Sequence, residues 1–181
     1  MRTETIIKKI YTFDELPEAT QEKAIEKLYD INVEFDDWAE FTIDSFREQM
    51  EEIGVTFKRL YFDLGRSQIC YMDGASVDDW RKFVRSAHKN GHKLDYADLR
   101  NVAMWEGVRI GVQCCYVGNS AANYCETETA CLQEYTDFIR ERLGDALTML
   151  QEAYDYSTSE TAIKESIEAN EWEFDEEGNL A

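Results

Sequence analysis

The longest regular pattern of apolar positions lies in the last third of the chain. Positions three and four apart share one face of an α-helix, and this pattern predicts a helix of about 25 residues. Its apolar positions are Leu132, Tyr135, Phe138, Ile139, Leu143, Ala146, Leu147, Leu150, Ala153 and Tyr154. The run Ser157-Thr-Ser-Glu160 resembles a capping box and predicts a short helix through Ala169. Residues 172–174 then predict a final strand, followed by a turn.

The N-terminal third shows one strand pattern and two helix patterns. Residues 5–13 are rich in β-branched and aromatic side chains and predict a strand. Pro17 suits the first turn of a helix, and the apolar spacing after it predicts a helix over about 17–31. A second helix is predicted over about 35–52, and Gly54 is typical of the position just after a helix. Its expected inward side chains are Phe35, Trp38, Phe41 or Thr42, Ser45 or Phe46, and Met50.

The middle of the chain predicts two hairpins and further helices. Strand patterns on either side of Gly65-Arg66-Ser67 predict a hairpin over 55–72. Ser76 is expected to cap a helix over about 77–90, and a shorter helix is predicted over 95–104. A second hairpin is predicted over 108–129. No repeat, linker or low-complexity segment divides the chain, so the sequence predicts one acidic α+β domain over 1–181, with a small antiparallel sheet packed against several helices.

Composition indicates a folded chain with a strong negative charge. Apolar residues make up 44% and aromatic residues 13% of the sequence, which exceeds the range of disordered chains despite a net charge of −19. The sequence has neither a run of about 18 apolar residues nor the apolar core of a secretory signal. We therefore expect a cytoplasmic protein with no membrane partner.

The charge excess lies in two terminal regions. Residues 14–52 hold 14 acidic and 3 basic side chains, and residues 152–181 hold 10 acidic and 1 basic. Like charges four positions apart weaken a helix slightly, so an acidic row that is nevertheless present is compatible with a role in binding. The alternative is that the charge serves solubility and repulsion from nucleic acid. The candidate acidic face for partner binding consists of Glu18, Glu22, Glu26, Asp30, Glu34, Asp36 and Asp37.

One predicted helix instead carries a row of basic side chains. Cations at four-residue steps can contact successive phosphates of a nucleic acid. The alternative is a solvated helix face whose cations pair with the acidic excess of the molecule. The candidate nucleic-acid-binding residues are Arg81, Lys82, Arg85, Lys89 and Lys93.

The spacing of the histidines and cysteines does not favour a metal site. His88 and His92 are four positions apart, a spacing that can place two imidazoles on one helix face, but Asn90-Gly91 between them predicts a helix end. The cysteines show no spacing typical of a zinc site or a disulfide framework and are interpreted as reduced thiols. They are Cys70, Cys114, Cys115, Cys125 and Cys131. We expect no metal, no cofactor and no enzymatic activity, since no catalytic motif singles out a nucleophile or a general acid.

Two terminal segments carry a family resemblance. They are Tyr11-Thr-Phe-Asp-Glu-Leu-Pro-Glu-Ala-Thr-Gln-Glu-Lys-Ala24 and Ser159-Glu-Thr-Ala-Ile-Lys-Glu-Ser-Ile-Glu-Ala-Asn-Glu-Trp-Glu-Phe-Asp-Glu-Glu-Gly178. Together with the hairpin at 61–68, they resemble small acidic proteins encoded by bacteriophages and prophages. In size and acidity the chain is also similar to phage anti-CRISPR proteins that inhibit the type II effector nuclease. These matching segments are structural and transfer no catalytic residue.

The resemblance implies a protein that inhibits a basic, nucleic-acid-handling defence protein of a bacterial host. The expected partner class includes a CRISPR effector nuclease, bound through the acidic face in the manner of a DNA mimic. Two alternatives stay open on the residues: a nucleic-acid-binding module that uses the basic residues at 81–93, and an enzyme without a recognisable motif.

Overall fold

The structure is a computed structural model that describes residues 9–65, 69–94, 115–116 and 130–181. Within these residues the fold is α+β, with small antiparallel sheets and a long C-terminal helix, as the sequence predicts. The helices are α1 (Glu18–Lys27), α2 (Asp37–Glu52), α3 (Trp80–Lys89), α4 (Ala130–Ser157) and α5 (Glu160–Ala169). The strands are β1 (Tyr11–Thr12), β2 (Val55–Thr56), β3 (Arg59–Asp63), β4 (Ile69–Asp73), β5 (Ser76–Val77), β6 (Cys115–Tyr116) and β7 (Glu173–Phe174).

The chain forms two compact units. Residues 1–38 and 153–181 make up one, called here the terminal unit, and residues 39–152 make up the other, called the central unit. The sequence boundaries between the units fall inside α2 and near the end of α4. One domain over 1–181 stays a prediction.

The terminal unit joins the two ends of the chain around one core. β1 pairs antiparallel with β7, and Tyr11 lies opposite Phe174. The buried core side chains come from both ends of the sequence: Leu16, Ala24, Leu28, Ile163, Ile167 and Phe174. Burial of this apolar set stabilises the pairing of the two ends. The two acidic regions of the sequence therefore fold largely into the same unit.

The first helix is shorter than predicted. It ends at Lys27 instead of about residue 31, and hydrogen bonds to the third preceding residue take over, as from the Ile31 N–H to the Leu28 carbonyl. The Asn32 side chain donates to the Ser157 carbonyl and accepts from the Ser166 hydroxyl, contacts that hold this segment as a turn. The predicted strand over 5–13 is also shortened in its described part, because residues 13–15 form a turn of 3₁₀ helix.

The predicted inward positions of Phe35 and Phe41 are wrong. Phe35 precedes α2 and is 71% exposed, and Phe41 lies on α2 with 86% exposure. The buried face of α2 is set by Ala39, Phe46 and Met50. Phe41 is two residues beyond Ala39, about 200° around the helix, and so points away from that face. The predicted burial of Phe46 and Met50 is confirmed.

In the central unit, the first hairpin is confirmed with a correction at its start. β3 and β4 pair antiparallel, with Leu60 opposite Met72, and β6 pairs with the other edge of β4. β2 does not continue into β3 but pairs with β5, where the Thr56 and Ser76 hydroxyls are 3.1 Å apart. Ser76 is therefore in a strand and does not cap α3. Asp79 caps it, since its side chain accepts from the N–H groups of residues 81 and 82.

The buried face of α4 is the best-predicted element. The described apolar side chains from Tyr135 to Leu150 are buried as expected, and Phe138 packs edge to face on Phe83 at 5.2 Å. The serine that caps the start of α5 is Ser159, whose side chain accepts from the Ala162 N–H. The capping box was predicted to begin at Ser157, which lies in α4. The predicted helix over 95–104, and the hairpin over 108–129 apart from β6, lie outside the described residues.

Candidate interaction surfaces

Three glutamates form an exposed row on α1. Glu18, Glu22 and Glu26 are exposed, while Ala24 on the opposite side is buried in the core of the terminal unit. Lys27 is drawn away from this row: its Nζ donates to the Glu177 carbonyl at 2.9 Å and to Oδ1 of Asn179 at 2.7 Å. The row faces solvent with its like charges about 6 Å apart along the helix axis.

The other four predicted acidic residues are exposed but do not continue the row. Asp30 and Glu34 follow the end of α1, Asp36 precedes α2, and Asp37 is the first residue of α2. The predicted four-residue register therefore stops at Glu26. Within the described part of the chain, none of the seven predicted acidic residues has a cationic nitrogen within 4.0 Å.

The terminal unit gathers more negative charge than the α1 row alone. In the described ranges of this unit, 9–38 and 153–181, there are 18 acidic and 4 basic side chains. A row with one carboxylate per about 6 Å is sparser than one nucleic-acid strand, which carries one charge per about 3.4 Å. The carboxylates of α5 and of the turn after β7 must therefore contribute if this unit is to resemble a nucleic acid electrostatically.

The basic row lies on α3 of the central unit. Arg81, Lys82, Arg85 and Lys89 are exposed, while Phe83 and Ala87 are buried on the opposite side. Lys93 lies beyond the helix end, and its side chain is exposed as well. None of these five cations has a carboxylate within 4.0 Å among the residues that the structure describes. Intramolecular pairing of the row, the alternative drawn from the sequence, is therefore not seen in this part of the chain.

The two histidines make separate contacts. His88 Nε2 lies 2.5 Å from the Leu94 carbonyl, while His92 places Nδ1 3.3 Å from Glu134 and Nε2 2.9 Å from Glu141. The hydrogen bond with His92 is the main reason that the pKa of Glu141 lies below its ordinary value. Among the described residues, no three His, Cys, Asp or Glu side chains are grouped as metal ligands.

The cysteines are described only in part. Cys70 is buried in β4 and forms no disulfide with a described residue, which is compatible with the interpretation of reduced cysteines. The other four side chains lie outside the described residues. The prediction that the chain has no enzymatic activity stays a prediction.

What the sequence did not reveal is the proximity of its two acidic regions. The charge of residues 153–181 was visible, but none of its carboxylates was predicted as a site residue. The available signal was the similar excess of acidic side chains at both ends of the chain. Their meeting depends on the β1–β7 pairing, which is a contact between distant segments.

Comparison with known proteins adds no relative to this description. Among the described residues, no helix combines the length and the apolar character that crossing a membrane requires. No protein-family model, curated protein or solved structure matches the chain. The two charged surfaces therefore carry the functional inference.

Proposed function

We propose that this protein is a phage-type inhibitor that docks its acidic terminal unit on a basic, nucleic-acid-handling protein of a bacterial host. The observation that carries the proposal is the gathering of both acidic ends of the sequence into one unit whose predicted acidic residues have no described cationic partner. Such a unit offers a basic partner carboxylates on α1 that no described cation of the chain pairs with.

Electrostatic attraction supports this role in two ways. A surface of one sign steers a partner of opposite sign, and can raise association rates well above the ordinary range at low salt. A protein groove that binds nucleic acid is lined by lysine and arginine, which are also the side chains that carboxylates attract. Occupation of such a groove by the terminal unit would exclude the nucleic acid and inhibit the partner.

The proposed target class follows from the resemblance to acidic phage proteins. It consists of basic host defence proteins, with the type II CRISPR effector nuclease as the first to test. Such a target lies in the cytoplasm of the bacterial host, where we propose that this protein acts.

Affinity capture tests the proposal. The tagged protein is incubated with a nuclease-treated bacterial lysate, in parallel with a variant that carries Glu18→Gln, Glu22→Gln and Glu26→Gln. We expect the wild type to retain a basic protein and the variant to retain several-fold less of it. Three rim charges correspond to roughly a 3- to 100-fold change in affinity. Equal capture by both proteins would contradict a role for α1.

A second candidate function is nucleic-acid binding through α3. The observation that favours it is the exposure of the five predicted basic residues without a described carboxylate partner. A gel shift with bare DNA at low salt tests it, with Arg81→Glu, Arg85→Glu and Lys89→Glu as the matched charge reversal. Retardation of DNA by the wild type and its loss in this variant would support the second candidate.

A further inference from the structure

A groove of about 390 Å³ opens on the terminal unit. It lies where the residues that follow β1 meet the end of α5, within a single unit. Most of its lining is of two kinds: the acidic residues Asp14, Glu168, Glu171 and Glu173, and the aromatic residues Phe13 and Trp172. Thr12 and Ile167 complete it. Among the described residues that line it, no side chain is basic. The groove thus combines apolar ring surface with negative charge.

The backbone holds one wall of this groove in place. α5 ends at Ala169 with Asn170 as its C-cap, and the Trp172 N–H donates to the Ile167 carbonyl at 3.1 Å. The Glu171 N–H donates to the Glu168 carbonyl, also at 3.1 Å. These two hydrogen bonds form a Schellman motif, which turns the chain back over the last helical turn. Trp172 and Glu171 therefore have fixed positions at the groove.

The opposite wall is held by strand pairing and ring packing. Thr12 lies opposite Glu173 in the β1–β7 ladder. Phe13 contacts Phe174 edge to face, with ring centroids 6.0 Å apart. Because Phe174 is fully buried in the core of the unit, this contact anchors Phe13. Both aromatic residues of the groove are thus positioned before any ligand arrives.

Glu171 occupies a backbone position that favours glycine. Its φ is +50°, in the left-handed region, and it is the only described residue other than glycine with a positive φ. α3 ends in the same motif, but there Gly91 takes this position with φ +88°. The groove therefore has the carboxylate of Glu171 at a position where glycine would leave the backbone less strained.

We infer that this groove binds an arginine side chain of a basic protein, an inference that rests on the proposed function. A guanidinium is planar and can stack on an aromatic ring, while its five N–H groups form a fork that matches carboxylates. Lysine offers a compact, strongly hydrated charge that makes poorer use of the rings. The groove thus supplies a specific contact, which the sparse row on α1 does not.

Peptide binding to the 181-residue chain provides the test. The probes are hexa-arginine, hexa-lysine and hexa-citrulline, the last being a neutral analogue of arginine. Binding is followed at low salt through the indole N–H signal of Trp172, which Trp172→Phe identifies in the spectrum. We expect hexa-arginine to shift this signal and to bind at least about threefold more tightly than hexa-lysine, and hexa-citrulline not to bind. Equal affinity for arginine and lysine peptides, or an unmoved Trp172 signal, would overturn the inference.

Matched charge variants separate the groove from general attraction. Glu171→Gln and Glu176→Gln make the same chemical change in the same unit, but Glu176 does not line the groove. We expect Glu171→Gln to weaken hexa-arginine about two- to fivefold and Glu176→Gln to have less effect. Equal weakening by both variants would overturn the groove as the site.

The two proposals fail in different ways. In one outcome, hexa-arginine binds no more tightly than hexa-lysine, but a basic protein is still captured from the lysate. This result would reject the groove as an arginine site and leave the proposed function intact. Arginine selectivity without capture of any basic protein would reject the proposed function instead. In that case the groove would remain an arginine site without the proposed partner.

Discussion

The terminal and central units differ in how they treat their charges. In the described terminal unit, acidic side chains outnumber basic ones by 18 to 4, and its predicted acidic face has no described ion pair. In the central unit, α4 interleaves both signs, and Arg142 pairs with Glu141 at 3.1 Å and with Asp145 at 3.2 Å. α3, by contrast, carries Arg81, Lys82, Arg85 and Lys89 as its exposed charged side chains and has no acidic residue. Among the described residues, charges of opposite sign pair where they alternate along α4, whereas the acidic row of α1 and the basic row of α3 show no ion pair.

This contrast separates ordinary surface charge from candidate binding surfaces. Exposed pairs between neighbours on one helix contribute little to stability and use up their charges. The α1 and α3 rows have no partner of opposite charge within 4.0 Å among the described residues.

The largest effect is expected for Gly178→Ala in the terminal unit. Gly178 has φ +76°, and an added Cβ would lie 3.0 Å from the Thr20 carbonyl oxygen of α1. Backbone strain and overpacking together should lower the free energy of unfolding by about 2 to 4 kcal/mol. Urea denaturation measures this loss.

Gly144→Ala is its matched control. Gly144 lies in α4, and no atom of the described residues outside its own helical turns would meet an added Cβ within 4 Å. This change should stabilise the protein by about 0.5 to 1 kcal/mol, because alanine is the better helix former. Similar stabilities of the two variants would contradict the close approach of Gly178 to the Thr20 carbonyl oxygen.

The next effect is expected at the C-terminal ends of α5 and α3, which share the Schellman motif. Glu171→Gly should stabilise the protein by about 0.5 to 1 kcal/mol, and Gly91→Glu should destabilise it by about 1 kcal/mol or more, because a side chain at positive φ is strained. Thermal unfolding of the two variants measures both. Destabilisation by Glu171→Gly would show that the carboxylate contributes to the fold itself.

Local patterns predicted the helices well. The apolar face of α4, the end of α2 before Gly54 and the β3–β4 hairpin all follow from residues close together in the sequence. The errors arise where distant residues decide. β2 pairs with β5 instead of extending β3, so Asp79 caps α3 in place of Ser76.

The side of α2 that faces the core was harder to predict than the helix itself. The apolar pattern predicted Phe46 and Met50 correctly as inward, but it also placed Phe35 and Phe41 there, and the structure buries Ala39 while those two rings are exposed. An alanine is a weak signal in a hydrophobic pattern, yet Ala39 sets the buried face. The packing partner, and not the side-chain size, determined the inward side.

The candidate surfaces were predicted in part. Exposure of the acidic residues and of the α3 cations follows from the polar faces of amphipathic helices. The groove could not be predicted, because Asp14 and Glu171 come from opposite ends of the sequence. Its formation depends on the β1–β7 register and on the turn after α5.

A smaller effect is expected for the three substitutions of α1. Replacing Glu18, Glu22 and Glu26 by Gln removes two like-charge pairs at four-residue spacing, each unfavourable by about 0.2 to 0.5 kcal/mol. Loss of the favourable charge of Glu18 near the helix start offsets part of this gain. We expect stability unchanged or higher by up to about 0.5 kcal/mol in urea at low salt. A clear loss of stability would show that the row has a structural role.

The smallest effect is expected for the pKa values of two aspartates, Asp175 in the terminal unit and Asp78 in the central unit. Hydrogen bonds, first from the Asn179 side chain, hold the pKa of Asp175 below its ordinary value. The Ser76 and Thr56 hydroxyls do the same for the pKa of Asp78. Each contribution is present above the ordinary aspartate range and lost as the pH falls through the lowered pKa. Carboxyl NMR titration should show Asn179→Ala raising the Asp175 pKa alone and Ser76→Ala raising that of Asp78 alone; a shift of neither would contradict these contacts.

The association rate of the captured partner distinguishes attraction by the acidic terminal unit from binding through α3. It is measured between about 0.05 and 1 M salt for the wild type, the three-glutamine variant of α1 and the Arg81→Glu, Arg85→Glu, Lys89→Glu variant of α3. If the terminal unit attracts a basic partner, the α1 variant should associate about tenfold more slowly at low salt and converge with the wild type at high salt, while the α3 variant associates at least as fast as the wild type. An α1 variant indistinguishable from the wild type at every salt concentration, with association lost in the α3 variant, would contradict the account.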